Sequence, residues 1–144
     1  MRTVVIDASV AAKWFLPKSQ EPFTDEAFGL LTDYAYGKLR IVVPDLFWSE
    51  LANIFWKAVR QSRWSAADAQ KALSAVLDRN FPTLPVTRLV SDALSIALAF
   101  DRSAYDSLYV AAALQSKSVL VTADEKLANA TAARLPVKWL AAFT

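Results

Sequence analysis

The chain has 144 residues, 55% of them hydrophobic and 21% charged, with a formal net charge of +2. It contains no cysteine and no histidine, which excludes disulfides, thiolate zinc sites, cysteine nucleophiles, Ser-His-Asp triads and imidazole acid/base chemistry. Two glycines, Gly29 and Gly37, do not make a phosphate-cradling loop, and so mild a basicity permits nucleic-acid binding without arguing for it.

In chain order, a branched apolar run at 3–6 reads as a strand and ends on Asp7. A charge so early in the apolar run does not fit a signal peptide, and no stretch reaches the roughly 20 apolar residues of a membrane helix, so a cytoplasmic protein is expected. Helical patterns follow at 8–16 and 22–37, then a strand at 40–43. Asp45, after Pro44, is expected to cap a helix over 45–62, and Ser65 with Asp68 opens one over 65–79. A strand at 84–86 leads to helices at 88–100 and 103–117, the second opened by Ser103 with Asp106. Strand 119–122, helix 124–133 and strand 137–138 complete the pattern. Strands alternating with helices predict an α/β sandwich with a mostly parallel sheet, and the absence of a repeat or linker predicts one domain over 1–144.

What chemistry remains belongs to carboxylates, lysines, arginines and hydroxyls, and carboxylates prefer hard cations such as Mg2+ or Mn2+. Asp7 directly follows the first strand, and Asp124 follows the strand at 119–122 after one alanine. Ligands of parallel α/β folds bind beyond the carboxyl ends of strands, so both are placed for a site, although either also suits a helix cap. Asp106 stands in the first turn of a helix that is apolar nearly all round, as a dipole partner or a ligand. Glu50 shares a helical stripe with Phe47, Leu51, Ile54 and Ala58. A glutamate on such a stripe needs a basic partner, with Lys57 the nearest, or a cation. A shared divalent ion explains all four acids at once, because it offsets the repulsion that otherwise raises their pKa values.

Four segments, Val4-Val-Ile-Asp7-Ala-Ser9, Pro44-Asp-Leu-Phe-Trp-Ser-Glu50-Leu-Ala-Asn53, Tyr105-Asp106-Ser-Leu-Tyr-Val-Ala and Val121-Thr122-Ala-Asp124, resemble in order and spacing the PIN domain. The likeness is greatest to the VapC-type toxins of bacterial and archaeal toxin–antitoxin pairs, and it spans essentially the whole chain. The resemblance implies a three-layer α/β/α sandwich around a parallel sheet of about five strands. It implies a Mg2+- or Mn2+-dependent endoribonuclease whose acidic quartet is Asp7, Glu50, Asp106 and Asp124. Ser9, Asn53 and Thr122 match supporting positions, and Glu50 either binds metal or orients the attacking water.

The same resemblance implies an RNA substrate, a small antitoxin that neutralises the nuclease, and a homodimer. Candidates to grip phosphates are Lys13, Lys57, Arg60 and Arg102, with Lys18 and Arg63 behind them. The aromatics Trp14, Phe15, Phe47, Trp48, Phe55, Trp56 and Trp64 crowd the first and third helices, to be divided between core and partner surfaces. A non-catalytic PIN-like module binding protein or RNA is the alternative. Phosphoryl-transfer aspartate folds fit poorly, since Asp7 has no acidic neighbour and is followed by Ala8-Ser9 rather than Asp-x-Asp.

Overall fold

The computed structural model describes residues 1–143. Five parallel strands form one sheet: β1 (Arg2–Ile6), β2 (Leu39–Pro44), β3 (Thr83–Leu84), β4 (Val119–Thr122) and β5 (Val137–Trp139). Their order is β3-β2-β1-β4-β5. Among the described residues seven α-helices accompany them: α1 (Ala8–Ala12), α2 (Thr24–Ala35), α3 (Leu46–Arg60), α4 (Ala66–Asp78), α5 (Val90–Phe100), α6 (Ala104–Gln115) and α7 (Glu125–Thr131). This is the expected three-layer α/β/α architecture.

The strands are short runs of branched residues because both of their faces are covered. Val4, Val5 and Ile6 on β1 and Leu120 and Val121 on β4 are fully enclosed. The helix α3 buries Phe47, Leu51, Phe55 and Ala58 along one stripe, as the spacing predicts. Truncating the fully buried Phe47 to alanine would cost about 3–5 kcal/mol of stability by the usual scale for aromatic core truncations. The helix α6 packs against β1, β2 and β4 and buries every residue from Ser107 to Ala113, which accounts for its nearly uniform apolarity.

Chain direction places the site. From β1 the sheet grows through β2 to β3 on one side, whereas β4 and β5 lie on the other. The strand order therefore reverses between β1 and β4, and a crevice opens beyond their carboxyl ends. Asp7 follows β1 and Asp124 lies two residues beyond β4, so both stand at this switch point.

Several boundaries differ from the sequence expectation for local reasons. The helix α1 is only five residues long. The helix α2 starts after Phe23, whose left-handed backbone (φ 59°) turns its ring edge-on to Trp139 at 5.4 Å. It stops before Gly37, where φ is +73°. The other glycine lies inside α2, so Ser62, Asn80, Asp101 and Lys117 take up the left-handed positions beyond α3, α4, α5 and α6. The strand β3 ends at Leu84, and Val86 begins a 3-10 turn, Val86–Arg88. Asp45 is not the cap expected of it: its backbone is already helical, and its Oδ1 accepts from the Val86 amide at 2.8 Å. It ties the exit of β2 to the segment after β3. Ser65 and Ser103 do cap, accepting from the amides of Asp68 and Asp106. Among the described residues no helix is long and apolar enough to cross a membrane.

Candidate active site

Asp7 is the most elaborately held acid of the crevice. Its Oδ1 accepts from Ser9 Oγ at 2.6 Å and from the Val10 amide at 3.1 Å, the second bond capping α1. Its Oδ2 accepts from Thr122 Oγ1, on the neighbouring strand, at 2.5 Å. The same Thr122 oxygen accepts from the Asp124 amide at 3.0 Å, and Asp124 in turn caps α7 through the Leu127 amide at 3.1 Å. One buried hydroxyl thus couples the two strand ends. Capping and site placement are not alternatives for Asp7 and Asp124. The cap bonds occupy only part of each carboxylate and fix where the rest of it points.

The other two acids arrive on helices. Asp106 stands in the first turn of α6, beside the Ser103 cap. Glu50 projects from α3, half-buried, and accepts from Tyr109 Oη on α6 at 2.5 Å. It has no basic partner within ion-pair distance; the ion pairs among the described residues are Lys13–Glu21 and Lys18–Asp25. Asp7, Glu50, Asp106 and Asp124 line a single open cleft of about 600 Å³, together with Ser9, Ser49, Asn53, Lys57 and Tyr109.

The electrostatics are those of crowded anions. Burial, with a contribution from the Asp106 charge, pushes the Asp7 carboxyl up against the opposing bonds from Ser9, Thr122 and Val10. Burial also raises Glu50, with Asp7 and Asp106 adding to it and the Tyr109 hydrogen bond opposing it. Asp106 is raised by burial and by Asp124, and held down by Arg102 and Ser103. Burial and the contact with Glu50 drive the Tyr109 phenol far above its ordinary range, so it stays protonated as a donor.

This donor set is all oxygen and largely anionic, which fits a hard divalent cation. No three acids among the described residues converge tightly enough to cage an ion by themselves. A hard divalent cation that keeps several waters and takes one or two carboxylates, as Mg2+ does, needs no such cage.

A family model described as "PIN domain" matches residues 4–133 of the chain. The chain belongs to the PIN domain family. It is 34% identical over 98 residues to the VapC ribonuclease Mb0985 of Mycobacterium bovis and, at the same level, to ribonuclease VapC9 of Mycobacterium tuberculosis. Those matches span 68% of this chain and 76% of each relative. Among solved structures it resembles PAE2754 from Pyrobaculum aerophilum at 25% identity, with a TM-score of 0.63 and coverage of 97% and 92% of the two chains. VapBC2 from Rickettsia felis, bound to a promoter DNA fragment, shares the fold at 13% identity and a TM-score of 0.66, with 95% and 98% covered.

The PIN cleft brings together most, though not all, of the residues singled out in the sequence. Thr122 lies buried beneath it, and Arg102 stands close enough to lower the Asp106 pKa. Arg60 is turned aside, its guanidinium 5.3 Å from the Trp56 ring. Lys13 lies outside the cleft lining: it is only 5% exposed and engages Glu21 at 3.2 Å. Lys18 pairs with Asp25, and Arg63 bonds Gln61 and Gln20. The crowded aromatics are mostly structural, with Trp14, Phe47 and Phe55 buried and Trp56 the most open of the group, 52% exposed. Tyr109 and Ser49 were not singled out. Tyr109 was within reach, because it lies three residues after Asp106 and so shares its helix face.

Proposed function

We propose that this PIN protein is a divalent-metal-dependent endoribonuclease, the toxin of a toxin–antitoxin pair. The observation that carries the reading is the gathering of Asp7, Glu50, Asp106 and Asp124 in one cleft at the sheet's switch point with no ion-paired base among them. The names of the mycobacterial relatives, VapC ribonucleases, support the activity and the substrate class.

Asp7, Asp106 and Asp124, with Glu50, would hold one or two Mg2+ or Mn2+ ions. When bound, such an ion supplies Lewis-acid polarisation of a phosphodiester oxygen and lowers the pKa of water, chemistry that needs no histidine. The chain's own residues set the geometry. Thr122 and Ser9 hold both oxygens of Asp7, and Tyr109 presents its proton to Glu50, favouring the ionised carboxylate. An ionised Glu50 is able to act as a ligand or to accept a proton from an attacking water. Lys57 on the cleft wall and Arg102 beside Asp106 are the cations placed to meet the RNA backbone, so binding weakens as salt rises.

A small antitoxin and a second copy of the chain are the expected partners. Trp56 borders an apolar groove between α3 and α4, with Phe55, Val59 and Leu73, and offers an anchor for a peptide partner. The deciding experiment is cleavage of total RNA with Mg2+, with and without chelator, by the wild type and by Asp7→Asn. Cleavage that needs the metal and is lost in Asp7→Asn supports the reading. Equal residual activity in both proteins, or no Mn2+ binding by the wild type, favours a non-catalytic module instead.

A further inference from the structure

The polar side chains of the cleft divide into two groups. Ser9 and Thr122 are engaged with Asp7, and Tyr109 with Glu50. Ser49, Asn53 and Lys57 also line the cleft, yet among the described residues none of their side chains makes a hydrogen bond or ion pair within the protein. All three are exposed, and all three lie on α3, at i, i+4 and i+8. Residues four apart share a helix face, and at 1.5 Å per residue each step is about 6 Å. A row of uncommitted polar groups therefore starts beside Glu50 and runs along one wall. The row has no part in the core, because the buried stripe of the same helix is Phe47, Leu51, Phe55 and Ala58.

Metal-assisted hydrolysis makes a demand that such a row meets. Water, and not the ribose 2′-hydroxyl, is the nucleophile of the proposed reaction, so the bond-breaking step does not by itself distinguish RNA from DNA. Discrimination then requires a group that touches the 2′-hydroxyl, which both donates and accepts hydrogen bonds. A carboxamide matches it, with an NH2 donor and a carbonyl acceptor, whereas an ammonium only donates.

Position selects Asn53 within the row. The acids and their ion take the scissile phosphate, and Lys57 presents a point charge on a flexible four-carbon stem for the next one. Between two successive phosphates of a strand lies one ribose. Between Glu50 and Lys57 lies Asn53, about one turn from each. Ser49, whose hydroxyl also donates and accepts, falls outside that interval.

We propose that Asn53 is the ribose-reading residue of the cleft, selecting RNA over DNA through the 2′-hydroxyl of the nucleotide next to the scissile phosphate, with Lys57 holding the phosphate beyond it. The inference rests on the nuclease reading for its substrate and adds which residue tells that substrate from DNA.

The test reads binding rather than turnover. Short fluorescein-labelled RNA and DNA strands of one sequence are titrated with the full chain by anisotropy, with Ca2+ replacing Mg2+ to hold back cleavage. The wild type is expected to favour RNA by about tenfold, the scale of one hydrogen bond, and Asn53→Ala to bind both strands alike. Alanine is the stronger helix former and the position is exposed, so α3 survives the change. The Mn2+ affinity of Asn53→Ala, read by titration calorimetry, is expected to equal that of the wild type. Lys57→Met is expected to weaken RNA and DNA equally and to reduce the slope of log affinity against log salt by about 0.7, the share of one phosphate contact on a single strand.

An RNA preference that survives Asn53→Ala overturns the assignment, and its loss in Ser49→Ala would move the role to Ser49. A lowered Mn2+ affinity in Asn53→Ala with the RNA preference intact overturns it in favour of a role at the ion. Equal binding of RNA and DNA by the wild type overturns it outright. Cleavage of total RNA, followed in parallel, separates this inference from the reading beneath it. Metal-dependent cleavage together with an RNA preference that Asn53→Ala retains removes this role and keeps the nuclease. A wild type that cleaves no RNA, yet loses its RNA preference in Asn53→Ala, ends the nuclease reading and leaves Asn53 as the ribose contact of a binding module.

Discussion

The two walls of the cleft are built differently. On the sheet side, Asp7 and Asp124 are joined through Thr122, and each is also fastened to the first turn of the helix it caps. On the helix side, Glu50 meets a single donor, Tyr109, and Asp106 stands among charges that push it in opposite directions. The sheet wall is a preorganised anchor held by buried backbone and hydroxyl groups. The helix wall is set by the side-chain contact between Glu50 on α3 and Tyr109 on α6.

Breaking the rigid wall is expected to have the largest effect. Asp7→Asn keeps the size of the side chain and removes its charge, and RNA cleavage should fall by about 10²- to 10³-fold, the scale for losing one preorganised electrostatic group. Single-turnover cleavage with saturating Mg2+ measures this. A loss smaller than that from Glu50→Gln would reverse the ranking of the two walls.

Next comes Thr122→Val, which leaves Asp7 Oδ2 and the Asp124 amide without their shared partner. A 10- to 100-fold loss of Mn2+ affinity is expected, as for other groups that orient ligands, and isothermal titration reads it. The buried unpaired groups should also cost about 1–3 kcal/mol of stability in urea unfolding.

Tyr109→Phe removes the one donor to Glu50. It should reduce cleavage by only about threefold to tenfold, the worth of roughly one ordinary hydrogen bond, with Mn2+ affinity changed less than in Thr122→Val. Equal effects of the two variants on metal affinity would show that the walls are equally rigid.

The smallest effect is on stability. Burial and mutual repulsion raise the Asp7, Glu50 and Asp106 carboxyls in the folded protein above their ordinary ranges near 3.8 and 4.5. Protonation therefore favours the folded state. The contribution of these groups is fully present below the unfolded values and is lost as pH rises through the folded ones. Without divalent ions, Asp106→Asn should accordingly gain melting temperature over the wild type on going from pH 4 to pH 7. A gain of about 2–4 °C corresponds to ~1 kcal/mol in a domain of this size. Adding Mg2+ at pH 7 should stabilise the wild type more than the variant, in proportion to ion bound. Differential scanning fluorimetry across pH, with and without EDTA, tests both.

Sequence alone carried the alternation of strands and helices, because doubly covered strands and one-faced helices leave unmistakable apolar runs. It also marked the four acids. Asp7 and Asp124 follow strands, Asp106 opens an apolar helix, and Glu50 interrupts an apolar stripe, each an acid where burial disfavours charge. Sequence did not separate cations beside the cleft from cations engaged elsewhere. Lys13, six residues after Asp7 in the last turn of the expected first helix, instead folds onto Glu21 eight residues later. Nor did it find the Tyr109 contact with Glu50, which joins residues 59 positions apart.

The cap reading and the ligand reading of Asp7 are both local, and its sequence neighbours fit either. Only the tertiary structure made them compatible, by bringing Thr122 across from a strand 115 residues away to hold the second oxygen. Local patterning sets which residues are apolar and which are charged, and so the elements and their order. Which charges meet depends on the sheet's strand order, and that follows from packing among elements distant along the chain.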